Sequence, residues 1–167
     1  MSHRVRVCFV CLGNICRSPT AEAIFAHQVA AARLAAQIDI DSAGTAAYHI
    51  GDQPDRRATA EAQRHGVAMV SRGRQFRRGD FELFDYVLAM DEANQSDLLD
   101  LASTPDQRAK VHRLREWDPR STGPHDLDVP DPYYGGADGF ADVFTMVERS
   151  CAGLLAHVVT SHHLTTE

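Results

Sequence analysis

"VRVCFVCLGNICRSPTAEAIF", residues 5–25, changes character midway. Residues 5–10 are β-branched and apolar, as in a strand buried on both faces. Pro19 suits the first turn of a helix, and residues 19–36 are rich in helix formers. Between the two lie Cys11, Gly13, Asn14, Cys16, Arg17 and Ser18, none of which a scaffold requires at a strand–helix junction. The junction is therefore a metal or redox site, or an anion-binding loop that carries a nucleophile.

Outward from this stretch, strand and helix signals alternate. "IDIDSAG" (38–44) reads as a second strand, and residues 55–65 as a helix stopped by Gly66. "FDYVLAM" (84–90) is a third strand, followed by a helix over 92–102. "AKVHRL" (109–114) is a short fourth strand. A loop over 118–138, with Pro119, Gly123, Pro124, Pro130, Pro132, Gly135 and Gly136, is too long for plain filler. An amphipathic helix runs from Gly139 to about His162. The alternation predicts an α/β fold of three layers, a central four-stranded parallel sheet with helices on both faces. Ligands in such sheets bind outside the carboxyl ends of the strands, where the opening junction sits.

At 167 residues the chain is expected to form a single domain over 1–167. Its 44% apolar and 24% charged residues are ordinary for a soluble globular protein. No run approaches the ~18 apolar residues of a membrane span, and the N-terminal apolar stretch is too short for a signal peptide. We therefore expect a cytoplasmic protein without a membrane partner. The net charge of -6 argues against nucleic acid as a partner. The basic residues are nearly all arginine, Lys110 being the single lysine. Four cysteines, at 8, 11, 16 and 151, are too few and too clustered for a secreted disulfide framework.

The chemistry of the junction follows from its spacing. A loop "LGNIC" between Cys11 and Arg17 is long enough to turn backbone N–H groups inward as a nest for an oxyanion. The helix behind it adds a partial positive charge. Gly13 and Asn14 tolerate the positive φ that a tight cradle requires. Arg17 has the fork geometry to hold two phosphate oxygens. The field that binds a dianion also stabilises a thiolate at Cys11, and Ser18 is placed to hydrogen-bond to that sulfur. No metal ligand set accompanies the cysteines, and no cofactor is called for.

"CLGNICRSP" so near the amino terminus resembles the low-molecular-weight protein tyrosine phosphatases. The resemblance continues in order through "DSAGT" (41–45), "FDYVLAMDEAN" (84–94) and "VPDPYYGG" (129–136), so it spans nearly the whole chain. It implies that the protein hydrolyses protein phosphotyrosine and small aryl phosphates through a phosphocysteine intermediate. Cys11 would be the nucleophile, Arg17 the phosphate clamp and Asp131 the general acid, then base. Leu12, Gly13, Asn14, Ile15, Cys16 and Ser18 would line the phosphate pocket. Tyr133 and Tyr134 would flank the substrate ring, with Tyr48 on the opposite wall. Asn14 and Ser42 would hold the loop in shape. Where many relatives carry a histidine, this chain has Ser71, which predicts a weakened or rebuilt support. The partners implied are phosphotyrosine proteins, met by a monomer.

Each residue also has a plainer reading. Cysteine is often simply buried, which suffices for Cys8 and Cys151. Cys8 and Cys11 form a C-x-x-C, but one that ends a strand rather than starting a helix. Cys16 is either a small wall residue or, as the resemblance implies, a redox guard that traps oxidised Cys11 as a disulfide. Asp131 beside proline would ordinarily be a turn residue. His157, His162 and His163 read as part of a fraying helix end.

Three rival functions remain to be weighed. An arsenate reductase of this fold needs further cysteines after the third strand, and residues 84–104 contain none. A phosphoarginine phosphatase would be expected to carry threonine where Ile15 stands. A phosphotyrosine-binding module with a dead pocket would not need Cys11, Arg17 and Asp131 together.

Overall fold

The computed structural model describes residues 3–166. Strand β1 (Val5–Cys11) leads through the cysteine loop into helix α1 (Arg17–Ala31). Strand β2 (Ile38–Gly44) and helices α2 (Arg56–Arg64) and α3 (Asp80–Leu83) follow. Then come β3 (Tyr86–Ala89), α4 (Glu92–Leu101), α5 (Pro105–Ala109) and β4 (Val111–Arg113). A 3₁₀ turn (Leu114–Trp117) precedes the acid-bearing loop, and α6 (Ala137–Ser161) closes the chain.

The strands form one parallel sheet in the order β2-β1-β3-β4. This is the expected four-stranded architecture with helices on both faces. The two-residue period of β1 decides what each face receives. Val5, Val7, Phe9 and Cys11 face one core with Ile24, Phe25, Val29, Phe144 and Leu154. Cys8 and Val10 face the other, with Phe76, Phe81, Phe84 and Leu98. Cys8 and Cys11 therefore point to opposite sides of the sheet, which disposes of the C-x-x-C as a redox or chelating pair. Cys8 and Cys151 are both fully buried, as expected.

Order along the sheet also positions the site. From β1 the chain moves to one neighbour, β2, and later returns to the other side as β3. The loops after β1 and β3 thus diverge at a topological switch point and leave a crevice between them. Cys11 ends β1, and Asp91 follows β3, whose Ala89 pairs with Val10.

Several boundaries differ from the sequence reading. Helix α1 stops at Ala31 rather than continuing to residue 36. Arg33 adopts φ 59°, and Leu34 N donates to Val29 O at 3.0 Å. That turn drives Leu34 into the core at 2% exposure, a gain that offsets the cost of ~1 kcal/mol for a left-handed arginine. The short helices α3 and α5 were too brief for periodicity to reveal, although Thr104 caps α5 by accepting from Gln107 N at 3.1 Å. The terminal histidines do not simply fray. Tyr86 Oη and His162 Nε2 lie 2.9 Å apart, and the His157 ring packs 5.3 Å from that of Trp117. Among the described residues no group of side chains could hold a metal ion, and no helix is long and apolar enough to cross a membrane.

Candidate active site

The loop between Cys11 and Arg17 is built by hydrogen bonds that tie its carbonyls to neighbouring segments. Cys11 O accepts from Thr45 N at 2.9 Å, Leu12 O from Ala46 N at 3.0 Å and Ile15 O from Asp55 N at 2.8 Å. The N–H side of the loop is left to the cleft, and Asn14 N reaches Cys11 Sγ at 3.3 Å. The left-handed residue is Asn14, with φ 57°, and not Gly13. A Cβ on Gly13 would press on His49 Cδ2 at 3.0 Å, so a side chain there requires the His49 ring to give way.

Cys11 is 3% exposed, with its sulfur 3.0 Å from Ser18 Oγ. The hydroxyl's direction follows from counting donors. Asn14 Oδ1 accepts from Arg74 N at 3.0 Å, which orients the amide. Both Nδ2 hydrogens are then spent, on Ser18 Oγ at 2.9 Å and Ser42 Oγ at 3.0 Å. The Ser42 hydroxyl in turn donates its hydrogen bond to the Glu22 carboxylate. Ser18 keeps one hydrogen, shared between Cys11 Sγ and Ala43 O at 3.3 Å. The sulfur, at 3.0 Å, is the nearer acceptor for that hydrogen.

This network also explains Ser71. Its half-buried side chain takes no part in supporting the loop, which rests instead on Arg74 N and on Glu22 through Ser42. Burial raises the pKa of Glu22 and its bond from Ser42 works against that rise. Arg74 is fixed in turn by ion pairs to Asp41 at 3.0 Å and Asp80 at 3.1 Å.

Arg17 is 3% exposed, and its Nη1 donates to Asp91 Oδ2 at 2.6 Å and to Val129 O at 2.9 Å. Nη2 lies 3.7 Å from Asp131 Oδ2. Burial works against the guanidinium charge, but Cys11, Asp91 and Asp131 more than offset it and raise its pKa. Cys16, almost buried at the start of α1, is pushed up to about 12 by burial, then by the charges of Asp55 and Cys11. It is a thiol at neutral pH.

Asp131 stands exposed at the opposite rim, its Oδ1 accepting from Tyr133 N at 3.0 Å. The long loop that carries it is stapled down. Arg115 donates to Asp118 at 3.0 Å, Asp126 at 2.9 Å and Asp128 O at 3.1 Å. Arg149 holds Asp118 from α6 at 2.7 Å, and Val129 N reaches Met90 O at 2.7 Å. Hydrogen bonds from Arg149, Arg120 N and Arg115 outweigh burial and hold the Asp118 carboxyl at about 2.

Together these elements enclose a cleft of about 190 Å³. Cys11, Leu12, Gly13, Ile15, Cys16 and Arg17 form its base, with Tyr48, Asp131, Tyr133 and Tyr134 around it. Asn14, Ser18 and Ser42 lie behind the loop, buried. Tyr48 and Tyr134 are 77% and 94% exposed, which leaves their rings free to cover a bound substrate. Tyr133 is steadied by Tyr134 at 4.8 Å and by the Arg57 guanidinium 5.3 Å over its ring. Sequence reasoning missed Asp91, Glu22, Arg57, Arg74 and His49. Only Asp91 had a readable signal, as the N-cap of a predicted helix directly after a strand.

Residues 6–163 match the family model described as low molecular weight phosphotyrosine protein phosphatase. A low molecular weight protein-tyrosine-phosphatase of Streptomyces coelicolor is 48% identical over 153 residues, covering 92% of this chain and 93% of that one. The human low molecular weight phosphotyrosine protein phosphatase is 41% identical over 150 residues, covering 89% and 92%. Among solved structures, a protein tyrosine phosphatase from Entamoeba histolytica superposes with a TM-score of 0.88 at 36% identity, covering 96% of this chain and 99% of that one.

Proposed function

The chain belongs to the low molecular weight phosphotyrosine protein phosphatase family, and from that premise we propose how its residues divide the reaction. The protein is a phosphotyrosine phosphatase acting on phosphotyrosine proteins. In the proposed reaction, the Cys11 thiolate attacks phosphorus in line with the phenolic oxygen. Arg17 and the loop N–H groups hold the three equatorial oxygens as their charge redistributes. Asp131 gives its proton to the departing phenolate, and a phosphocysteine remains. Asp131 then takes a proton from water, which attacks phosphorus, and Ser18 donates to the sulfur as the S–P bond breaks.

The observation that carries this reading is the placement of Cys11 Sγ at the base of the cleft, 3.0 Å from Ser18 Oγ and 3.3 Å from Asn14 N. Arg17 and Asp131, 3.7 Å apart, line the same cleft. Tyr48, Tyr133, Tyr134 and Ile15 suit an aromatic ester. The reading places the work in one domain, a monomer in the cytoplasm, with Cys16 as a redox guard of Cys11. Release of p-nitrophenolate from p-nitrophenyl phosphate near pH 6, abolished in Cys11→Ser, tests the assignment. No turnover by the pure reduced protein would refute it.

A further inference from the structure

Beside the catalytic cleft lies a second one of about 430 Å³, between the start of α2 and residues 69–72. Gln53, Arg56, Met69, Val70, Ser71 and Arg72 face it. The segment that begins at His49, in the lining of the first cleft, reaches the second at Gln53. On one side, Asp55 N is bonded to Ile15 O of the phosphate loop. Gln53, two residues earlier, lies within ~7 Å of Asp55 by chain reach. On the other side, Gly51 N donates to Gly73 O at 2.8 Å and Gly73 N to Asp52 O at 2.9 Å. Arg72 is therefore carried by the same pairing that positions His49 in the catalytic cleft.

The second cleft is lined by two arginines and by no carboxylate. The carboxylates of the surrounding elements are engaged elsewhere: Asp52 with His49, Asp55 with Arg57, and Glu61 with Arg64 and His65. Among the described residues Arg56 and Arg72 form no ion pair, and both are exposed. A chain of net charge -6 thus presents two free guanidinium forks next to its phosphate loop. Apolar surface adjoins them, since Val70, 85% exposed, lines the same cleft with Met69. Ser71, with its short side chain, leaves the space between α2 and this segment open.

We propose that this cleft is a secondary subsite for an aspartate or glutamate of the phosphotyrosine-bearing segment, held by Arg56 and Arg72. Guanidinium forks match carboxylates bidentately, while Val70 and Met69 cover the apolar part of the segment. An extended peptide advances ~3.3 Å per residue, so the acid stands a few residues from the phosphotyrosine. The proposal rests on the phosphatase reading and adds a substrate class to it.

The test compares phosphotyrosine peptides carrying aspartates two to four residues from the phosphotyrosine, on either side, with the same peptides carrying asparagine. The parent protein is expected to prefer the acidic peptides by about three- to tenfold in kcat/KM, through KM. The preference should shrink in 0.5 M salt and vanish in Arg56→Glu/Arg72→Glu. Both side chains are exposed, and turnover of p-nitrophenyl phosphate by the double variant reports that it is folded. Equal turnover of acidic and neutral peptides by the parent, or a preference that survives the double substitution, overturns the subsite. Loss of p-nitrophenyl phosphate turnover in the parent itself would instead sink the catalytic reading. In that event, fluorescence polarisation of the same peptide pairs still decides the subsite.

Discussion

Asp91, just past the end of β3, grips Arg17 at 2.6 Å, so the ends of two neighbouring strands meet beside Cys11. Asp91 also caps α4, its Oδ1 accepting from Asn94 N at 2.8 Å. Asparagine preserves a cap but gives up the charge on the guanidinium. Asp91→Asn is expected to lower kcat/KM for aryl phosphates by about 10- to 100-fold, the equivalent of ~1.4–3 kcal/mol. The urea midpoint should stay near that of the parent, which separates aiming from folding.

The position of Asp131 makes its contribution depend on the leaving group. Asp131→Asn should slow hydrolysis of phosphotyrosine far more than that of esters whose phenolate needs no proton. Steady-state rates over a series of substituted phenyl phosphates would show a steeper dependence on leaving-group pKa. Equal slowing across the series would remove Asp131 as the acid.

Glu22 reaches Cys11 Sγ only through a hydrogen-bond chain of Ser42, Asn14 and Ser18. Ser42→Ala leaves one Asn14 hydrogen without its acceptor, and kcat should fall by about tenfold. Glu22→Gln keeps an acceptor for the Ser42 hydroxyl and should retain most activity, whereas Glu22→Ala should not. The same kcat loss in Gln and Ala variants would argue for packing rather than orientation.

Asp118 ties the acid loop to α6 and supplies a pH signature. Its carboxyl is held at about 2, against an ordinary 3.8. A depressed carboxylate stabilises the fold fully above its unfolded pKa and loses that contribution as pH falls through the folded one. The side chain is fully buried, and the shift corresponds to on the order of 2 kcal/mol. Between pH 5 and pH 2 the parent should lose more stability than Asp118→Asn, as read by denaturant midpoints. Parallel pH profiles would contradict the assignment.

Cys16 is protonated at neutral pH because burial and the charges of Asp55 and Cys11 oppose its thiolate. Oxidation of Cys11 to the sulfenic acid removes one of those charges, and attack by Cys16 then forms the disulfide and releases water. Peroxide followed by reductant should restore activity in the parent but much less in Cys16→Ala. Full recovery in the variant would end the guard role.

Much of this was readable in the chain itself. The apolar run at 5–10, the loop that follows it and the alternation of strand and helix signals pointed to the sheet and to the position of the site. Those signals are local, because side-chain period, cap chemistry and loop length operate over a few residues. The end of α1 was misread because the pull of the core on Leu34 is not local.

What the sequence alone determined was the inventory: Cys11, Arg17 and Ser18 on one loop, with Asp131 and two tyrosines on another. Tertiary structure alone decided how they are aimed. Asp91, 74 positions after Arg17 in the chain, lies next to it because β3 is laid beside β1. Glu22 reaches Ser42 because α1 packs over β2, and Arg115 clamps the acid loop across the 3₁₀ turn. Hydrogen bonds between residues so far apart carry no local pattern. They exist only once the folding of the core has brought their strands and helices together.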